Sequence, residues 1–169
     1  MSKIYVGVDN GVTGTISIIY KKDIVHSSVP IRTEQSYTKK KQNISRVDII
    51  ILKRIFSDYL LGYGRREIFC LMERPMVNPI RFKASMSAIR ALEATLIILE
   101  ELDIPYQYID SKEWQGYFLP KNILKLKSKD KSAELKRAAI DVARRLFPKI
   151  KTKDADSLLI AEYARRKGF

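Results

Sequence analysis

Residues 4–19 read IYVGVDNGVTGTISII, and this stretch decides the fold. Ile4, Val6 and Val8 alternate with Tyr5, Gly7 and Asp9, which is the period-two signature of a strand. Ile16, Ile18 and Ile19 resume the apolar run beyond a glycine-bearing turn. Gly11 and Gly14 can take the positive φ that a tight hairpin needs, with Asn10 and Thr13 beside them. The pattern predicts two strands joined by a turn, with Asp9 closing the first, in or beside the middle of a sheet. A carboxylate there is costly unless a cation or a metal pairs with it. Capping the turn is the alternative use of an Asp at such a place.

The rest of the chain bounds what that carboxylate can be for. Its 169 residues predict one domain, 1–169, large enough for a real core. Hydrophobic residues make up 46%, with no run long enough to span a bilayer. The first strand follows the opening residues with no apolar leader segment, so the expected location is intracellular, in the cytoplasm. The single cysteine, Cys70, excludes an internal disulfide and a cysteine-based zinc cluster. Lys and Arg number 32 against 19 Asp and Glu, a formal charge of +13. A small domain this basic attracts polyanions, and nucleic acid is the expected partner ahead of an anionic membrane.

Working outward, residues 23–30 predict a third strand carrying His26, the sole histidine, which is expected as a surface or edge residue. Residues 31–42 are polar, include Lys39-Lys40-Lys41, and predict an exposed loop. From 43 to 61 the period changes: Ile44, Val47, Ile51, Ile55 and Leu60, with Ile50 and Leu52 alongside, predict an amphipathic helix closed by Gly62 and Gly64. Residues 67–73, EIFCLME, form an apolar run of strand length, the mark of a central strand buried on both faces, and it ends in Glu73.

A long helix is predicted over 82–102. Its small residues Ala84, Ala88, Ala91 and Thr95 permit close approach, either to this chain's own sheet or to a second subunit. A short strand over 105–110 follows, and then the polar-aromatic segment 111–119, a short helix or irregular loop. There Trp114, Tyr117 and Phe118 read as anchors to the core rather than as base-stacking platforms. Residues 121–131 are the densest basic run, which serves either as a solvated face or as a phosphate contact. Two helices close the chain: 132–147, with a stripe of Leu135, Ala138, Ala139, Val142 and Leu146, and one built around Leu158, Leu159, Ile160 and Ala161. The order of elements predicts an α/β fold, a mixed sheet with helices against its faces.

Asp9 and Glu73 therefore close two strands, while Asp154 and Asp156 open the last helix. Carboxylates about 4 Å apart repel by about 4 kcal/mol at an effective dielectric of 20, so such a cluster needs cations. Oxygen-rich acidic sites suit Mg²⁺ or Mn²⁺, and two such ions roughly 3.5–4 Å apart can activate water and stabilise the leaving oxygen of a phosphodiester. An acidic pocket in a basic surface suits a polyanion whose scissile phosphate is handled by metal.

GVDNGVTG, then LMERP, then KDADSLLIAEYARR resemble, in that order and over nearly the whole chain, the RuvC family of Holliday-junction resolvases in the ribonuclease H-like superfamily. The shorter phage-encoded members are the nearest. The resemblance implies a five-stranded mixed β-sheet flanked by α-helices, and a homodimer that nicks branched DNA using Mg²⁺ or Mn²⁺, with two ions per site. It matches Asp9 to the first-strand metal ligand, Glu73 to the ligand ending the fourth strand, and Asp154 and Asp156 to the acidic pair leading the last helix. It further implies hydrolysis by in-line attack of water on phosphorus. Lys112, Lys127, Lys129 and Lys131 are the candidate contacts to the DNA backbone.

One spacing departs from the family. The acidic pair is commonly three residues apart; here it is two, and Lys153 stands three before Asp156. Residues two apart point to nearly opposite sides of a regular helix. Both can face the metals only if Asp154 precedes the first regular turn; otherwise one of them is an N-cap. Three other readings share features with this one. A ribonuclease H acting on RNA–DNA hybrids would use the same acids. A sugar-kinase-like or chaperone-like ATPase shares the Asp-x-Gly turn, but needs a second comparable domain. A non-catalytic branched-DNA binder would result if the altered spacing disables the site.

Overall fold

Strand β1 (Ile4–Val8) lies at the centre of the sheet, and every other element is placed by it. The computed structural model of the protein describes residues 3–36, 41–127 and 130–169. Antiparallel to β1 runs β2 (Thr15–Tyr20), which in turn pairs antiparallel with β3 (Asp23–Ser28). A second hairpin, β4 (Ile31–Gln35) and β5 (Asn43–Val47), forms a separate two-stranded sheet and leads into helix α1 (Ile49–Leu60). The chain then returns as β6 (Ile68–Glu73), parallel to β1 on its other side. After helix α2 (Phe82–Glu101) it adds β7 (Tyr106–Ile109), parallel to β6. The main sheet thus has five strands in the order β3-β2-β1-β6-β7. Four helices close the chain: α3 (Ser111–Phe118), α4 (Lys121–Leu124), α5 (Lys131–Leu146) and α6 (Asp156–Lys167).

The two faces of the sheet are covered by different helices. Ile4, Val6 and Val8 of β1 join Cys70 and Met72 of β6, Leu52 and Phe56 of α1, and Ile98 and Leu99 of α2 in one core. The alternate positions face the other way: Leu71 and Ile19 pack with Trp114 of α3, Ala139 and Ala143 of α5, and Leu158 to Ala161 of α6. Tyr5 and Phe69 border that second core. Because side chains alternate along a strand, residues 9 and 73, which continue the series 5, 7 and 69, 71, point toward the α6 side.

Helix α6 lies directly on β1, and Gly7 permits it. A Cβ at position 7 would sit 2.0 Å from the Ser157 carbonyl oxygen and 2.5 Å from the Ala161 nitrogen. Both are backbone atoms, which cannot swing away. At the turn after β1, Gly11 has φ +151°, as a glycine allows. Gly14 serves otherwise than its expected positive φ: a Cβ there would lie 2.0 Å from the Asp9 carbonyl oxygen. The turn is therefore closed by contact, and Asp9 N–H donates to Thr15 O at 3.0 Å across it.

Residues 31–61 depart from the sequence reading. The expected exposed loop contains β4, and the first five residues of the expected helix are β5. Helix α1 begins at Ile49, capped by Asp48, whose Oδ1 accepts from the N–H groups of Ile50 and Ile51, both at 3.1 Å. Ile44 and Val47 fit a helical period extended backward from Ile51, but they belong to a hairpin that pairs Glu34 with Ile44 and Ile31 with Val47. The helix buries Leu52, Phe56 and Leu60, whereas Ile50 is 71% exposed. Lys39 and Lys40 lie outside the described residues. Among the described residues no helix is long and apolar enough to cross a membrane.

Gly7→Ala is expected to cost about 3 kcal/mol or more, at or beyond the top of the usual range for overpacking, because the clash is with backbone. Denaturant unfolding measures this directly, and a loss below about 1 kcal/mol would show that α6 can move aside.

Candidate metal centre

The parallel register of β1 and β6 pairs Val8 with Met72, so Asp9 and Glu73 follow side by side at the same end of the sheet. Helix α6 brings its N-terminus over that end. Asp156 is its first residue, Ala155 is the cap, and Asp154 precedes the helix in irregular chain. The condition set by the two-residue spacing is thus met. A carboxylate oxygen from each of Asp9, Asp154 and Asp156 lies within 4.8 Å of the other two. Asp154 also acts at the helix start, its Oδ1 accepting from the Asp156 N–H at 3.2 Å.

Glu73 stands beside this triad with a partner of its own. Trp114 Nε1–H donates to Glu73 Oε2 at 2.9 Å, and the indole is buried, 1% exposed. Trp114 is the core anchor expected from sequence and also aims a catalytic-site candidate, a second role that sequence spacing did not reveal. Asp110 opens α3 with a capping box closed by Glu113, and this fixes the helix that carries the indole.

The electrostatics are those of acids gathered against their mutual repulsion. Burial, then the charges of Glu73, Asp156 and Asp154, raise Asp9 from 3.8 to about 8, with Lys136 partly opposing. Burial, then Asp154 and Glu73, raise Asp156 to about 7. Glu73 is raised by burial while its hydrogen bonds from Trp114 and Ser111 restrain the shift. Lys136 Nζ donates to Asp154 Oδ2 at 2.9 Å, and that bond raises the lysine further. Lys136 was not singled out in the sequence, where it is one cation among many on the polar face of a helix.

A cleft of about 380 Å³ opens beside Asp156, lined by Trp114, Gln115, Lys131, Ser132, Leu135 and Lys136. Lys131, expected to contact DNA, lies at this cleft with its Nζ donating to the Leu124 carbonyl at 2.9 Å. Lys112 and Lys127 are exposed, and Lys129 lies outside the described residues. His26 is the edge residue expected, on the outermost strand β3, but it does not face solvent freely. It is half-buried and bonded at both ring nitrogens, 2.8 Å from Ser17 Oγ and 2.8 Å from Thr152 Oγ1. Burial pulls it below its usual range, against the influence of Asp154.

Among the described residues, converging carboxylate oxygens from Asp9, Asp154 and Asp156 match the coordination chemistry of a hard divalent cation. The residues present fit Mg²⁺ or Mn²⁺.

A mixed sheet with the central strand flanked by one antiparallel and one parallel neighbour, covered by helices on both faces, defines a ribonuclease H-like α/β fold. Within that class the chain has a RuvC-like fold. It is similar to the RuvC of T. thermophilus solved in complex with a Holliday junction substrate, with a TM-score of 0.60 and 11% identity over 98% of this chain and 96% of that one. Another structure of Thermus thermophilus RuvC gives a TM-score of 0.53 and 12% identity, with the same coverage. No protein-family profile matches the chain, and no curated protein sequence does.

With metal chelated, stability is expected to fall as pH rises from 5 to 8. The fold raises Asp9 from 3.8 to about 8, so in that window the folded state keeps a proton that the unfolded chain has released. Folding therefore takes up a proton, which costs up to about 1.4 kcal/mol more per group for each unit rise in pH. Thermal melts in EDTA measure the slope. Asp9→Asn should flatten it and raise Tm at pH 8, and an unchanged slope would mean Asp9 ionises freely in the fold.

Proposed function

We propose that the protein is a divalent-metal-dependent endodeoxyribonuclease that cleaves branched DNA, Holliday junctions and related forks, as a homodimer in the cytoplasm. The observation that carries this reading is the meeting of Asp9, Asp154 and Asp156, from opposite ends of the chain, within 4.8 Å. The RuvC-like fold and the net charge of +13 support DNA as the polyanion. In this reading Asp9, Glu73, Asp154 and Asp156 hold Mg²⁺, two ions per site, and Mn²⁺ can substitute. Bound divalent ions would supply Lewis-acid activation of water and neutralise charge on the phosphodiester.

The chain's own residues do the rest. Trp114 orients Glu73, and Lys136 offsets negative charge at Asp154 next to where a phosphate would lie. Lys112, Lys127, Lys129 and Lys131 contact the backbone of the DNA. The second copy is assigned to the outer face of α2. Ala91 and Thr95 are turned inward to this chain's own core, while Phe82, Met86 and Ile89 are exposed.

Labelled four-way junctions, incubated with Mg²⁺, Mn²⁺ or EDTA beside an RNA–DNA hybrid duplex, test the activity. Nicking of the junction is expected with either metal and not in EDTA, and Asp9→Asn and Glu73→Gln should reduce it to background while junction binding survives. Preferred cleavage of the hybrid would make it a ribonuclease H. Binding without nicking in any metal would make it a non-catalytic junction binder. Nicking by both variants would refute the site. Sedimentation equilibrium should give twice the chain mass, reverting to one chain in Met86→Glu/Ile89→Glu.

A further inference from the structure

We propose that His26 is a positioning residue for the carboxylate centre, holding Asp154 and Asp156 in register with Asp9 through Thr152 on one side and Ser157 on the other. The inference rests on reading those acids as a divalent-cation site.

The hydrogen bonds admit a single consistent direction when the imidazole carries its proton on Nε2. Thr152 has one hydroxyl proton, and it goes to the Asp154 carbonyl at 2.5 Å. Thr152 Oγ1 also accepts the Asp154 N–H at 3.0 Å. Its remaining bond, 2.8 Å to His26 Nε2, must then be one it accepts. With the ring proton on Nε2, Nδ1 is an acceptor and takes the Ser17 hydroxyl proton across 2.8 Å. Ser17 Oγ in turn accepts from Ser157 Oγ at 2.8 Å. Each hydroxyl donates once, and every side chain from Thr152 through His26 and Ser17 to Ser157 has a partner.

The placement of the two ends gives this network its consequence. Thr152 holds both backbone polar groups of Asp154, just before helix α6. Ser157 lies in the first turn of that helix, where its carbonyl oxygen abuts Gly7. Asp154 and Asp156 are therefore the residues between two anchors of one imidazole, which reaches them from β3, two strands away from β1. The segment ahead of α6 is irregular, so beyond the Asp156 N–H and Lys136 bonds to the Asp154 carboxylate, it is Thr152 that fixes the backbone of Asp154 against the repulsion among the four acids. The two-residue spacing makes this support necessary, because Asp154 has no helical turn to fix it.

Manganese binding to the folded protein, followed by electron paramagnetic resonance at fixed pH, tests the role without relying on catalysis. Thr152→Val removes the hydroxyl and keeps the shape; Thr152→Ser keeps the hydroxyl. His26→Ala and Thr152→Val are expected to weaken Mn²⁺ binding about 10–100-fold, the usual effect of losing a group that orients a ligand, and Thr152→Ser to restore it. A network that only stabilises the fold would lower Tm and leave the affinity of the folded protein unchanged, and that result overturns the proposal. Should His26→Ala not fold, the Thr152 pair decides by the same criterion. If the unaltered protein binds no Mn²⁺, the cation reading itself falls and this inference with it. Binding that Asp9→Asn abolishes but the Thr152 and His26 variants leave intact removes this inference alone.

Discussion

The contact between helix α6 and strand β1 at Gly7 governs the geometry of the site. It brings helix backbone to within the space a methyl group would occupy, and so fixes how far the helix N-terminus stands from the ends of β1 and β6. Alternation along the two parallel strands then aims Asp9 and Glu73 toward that helix. The start of α6 supplies Asp156, and the irregular chain before its cap supplies Asp154. A larger residue at position 7 would lift the helix, and the acids from the two ends of the chain would no longer share a volume.

That arrangement opposes the protein's own stability. Burial and mutual repulsion act in the same direction on Asp9 and Asp156, raising both far above the ordinary carboxylate range. Lys136 bonds Asp154 but has 57% of its side chain open to solvent, so it offsets only a fraction of the repulsion among the acids. The elements around the cluster are correspondingly well anchored. Trp114 is buried and bonded to Glu73, α3 is closed by a capping box, and the segment before α6 is tied to β2 and β3 through hydroxyls and an imidazole. Repulsion of this kind falls when a cation comes between the carboxylates.

Much of this was legible in the sequence, for physical reasons that differ by element. Ile4, Val6 and Val8 show a clean period of two, and residues 67–73 are apolar throughout, so the central strands and the acids that end them could be placed. Asp154 was read conditionally, as a ligand only if it preceded the helix, and it does. The β4–β5 hairpin is hidden in the sequence because Ile44 and Val47 lie in phase with Ile51 on a helical wheel, although the Asp48 cap separates them from α1. Gly7 gives no signal of its own in the alternating strand pattern, since its significance depends on its contact with α6, far along the chain. His26 and Lys136 give no local signal: each matters only through partners on distant elements. The hydrophobic pattern encodes the scaffold; what tunes the site is encoded in contacts that no spacing rule can reach.

Anomalous diffraction from crystals soaked in Mn²⁺ tests the central claim most directly, since it locates the ions without assuming any activity. The account expects anomalous peaks at about 2.0–2.3 Å, the range of oxygen ligands to hard divalent cations, from carboxylate oxygens of Asp9, Asp154 and Asp156, with Glu73 at the edge of the same cluster. Peaks confined to surface acids elsewhere, with this cluster left empty at saturating Mn²⁺, would contradict it.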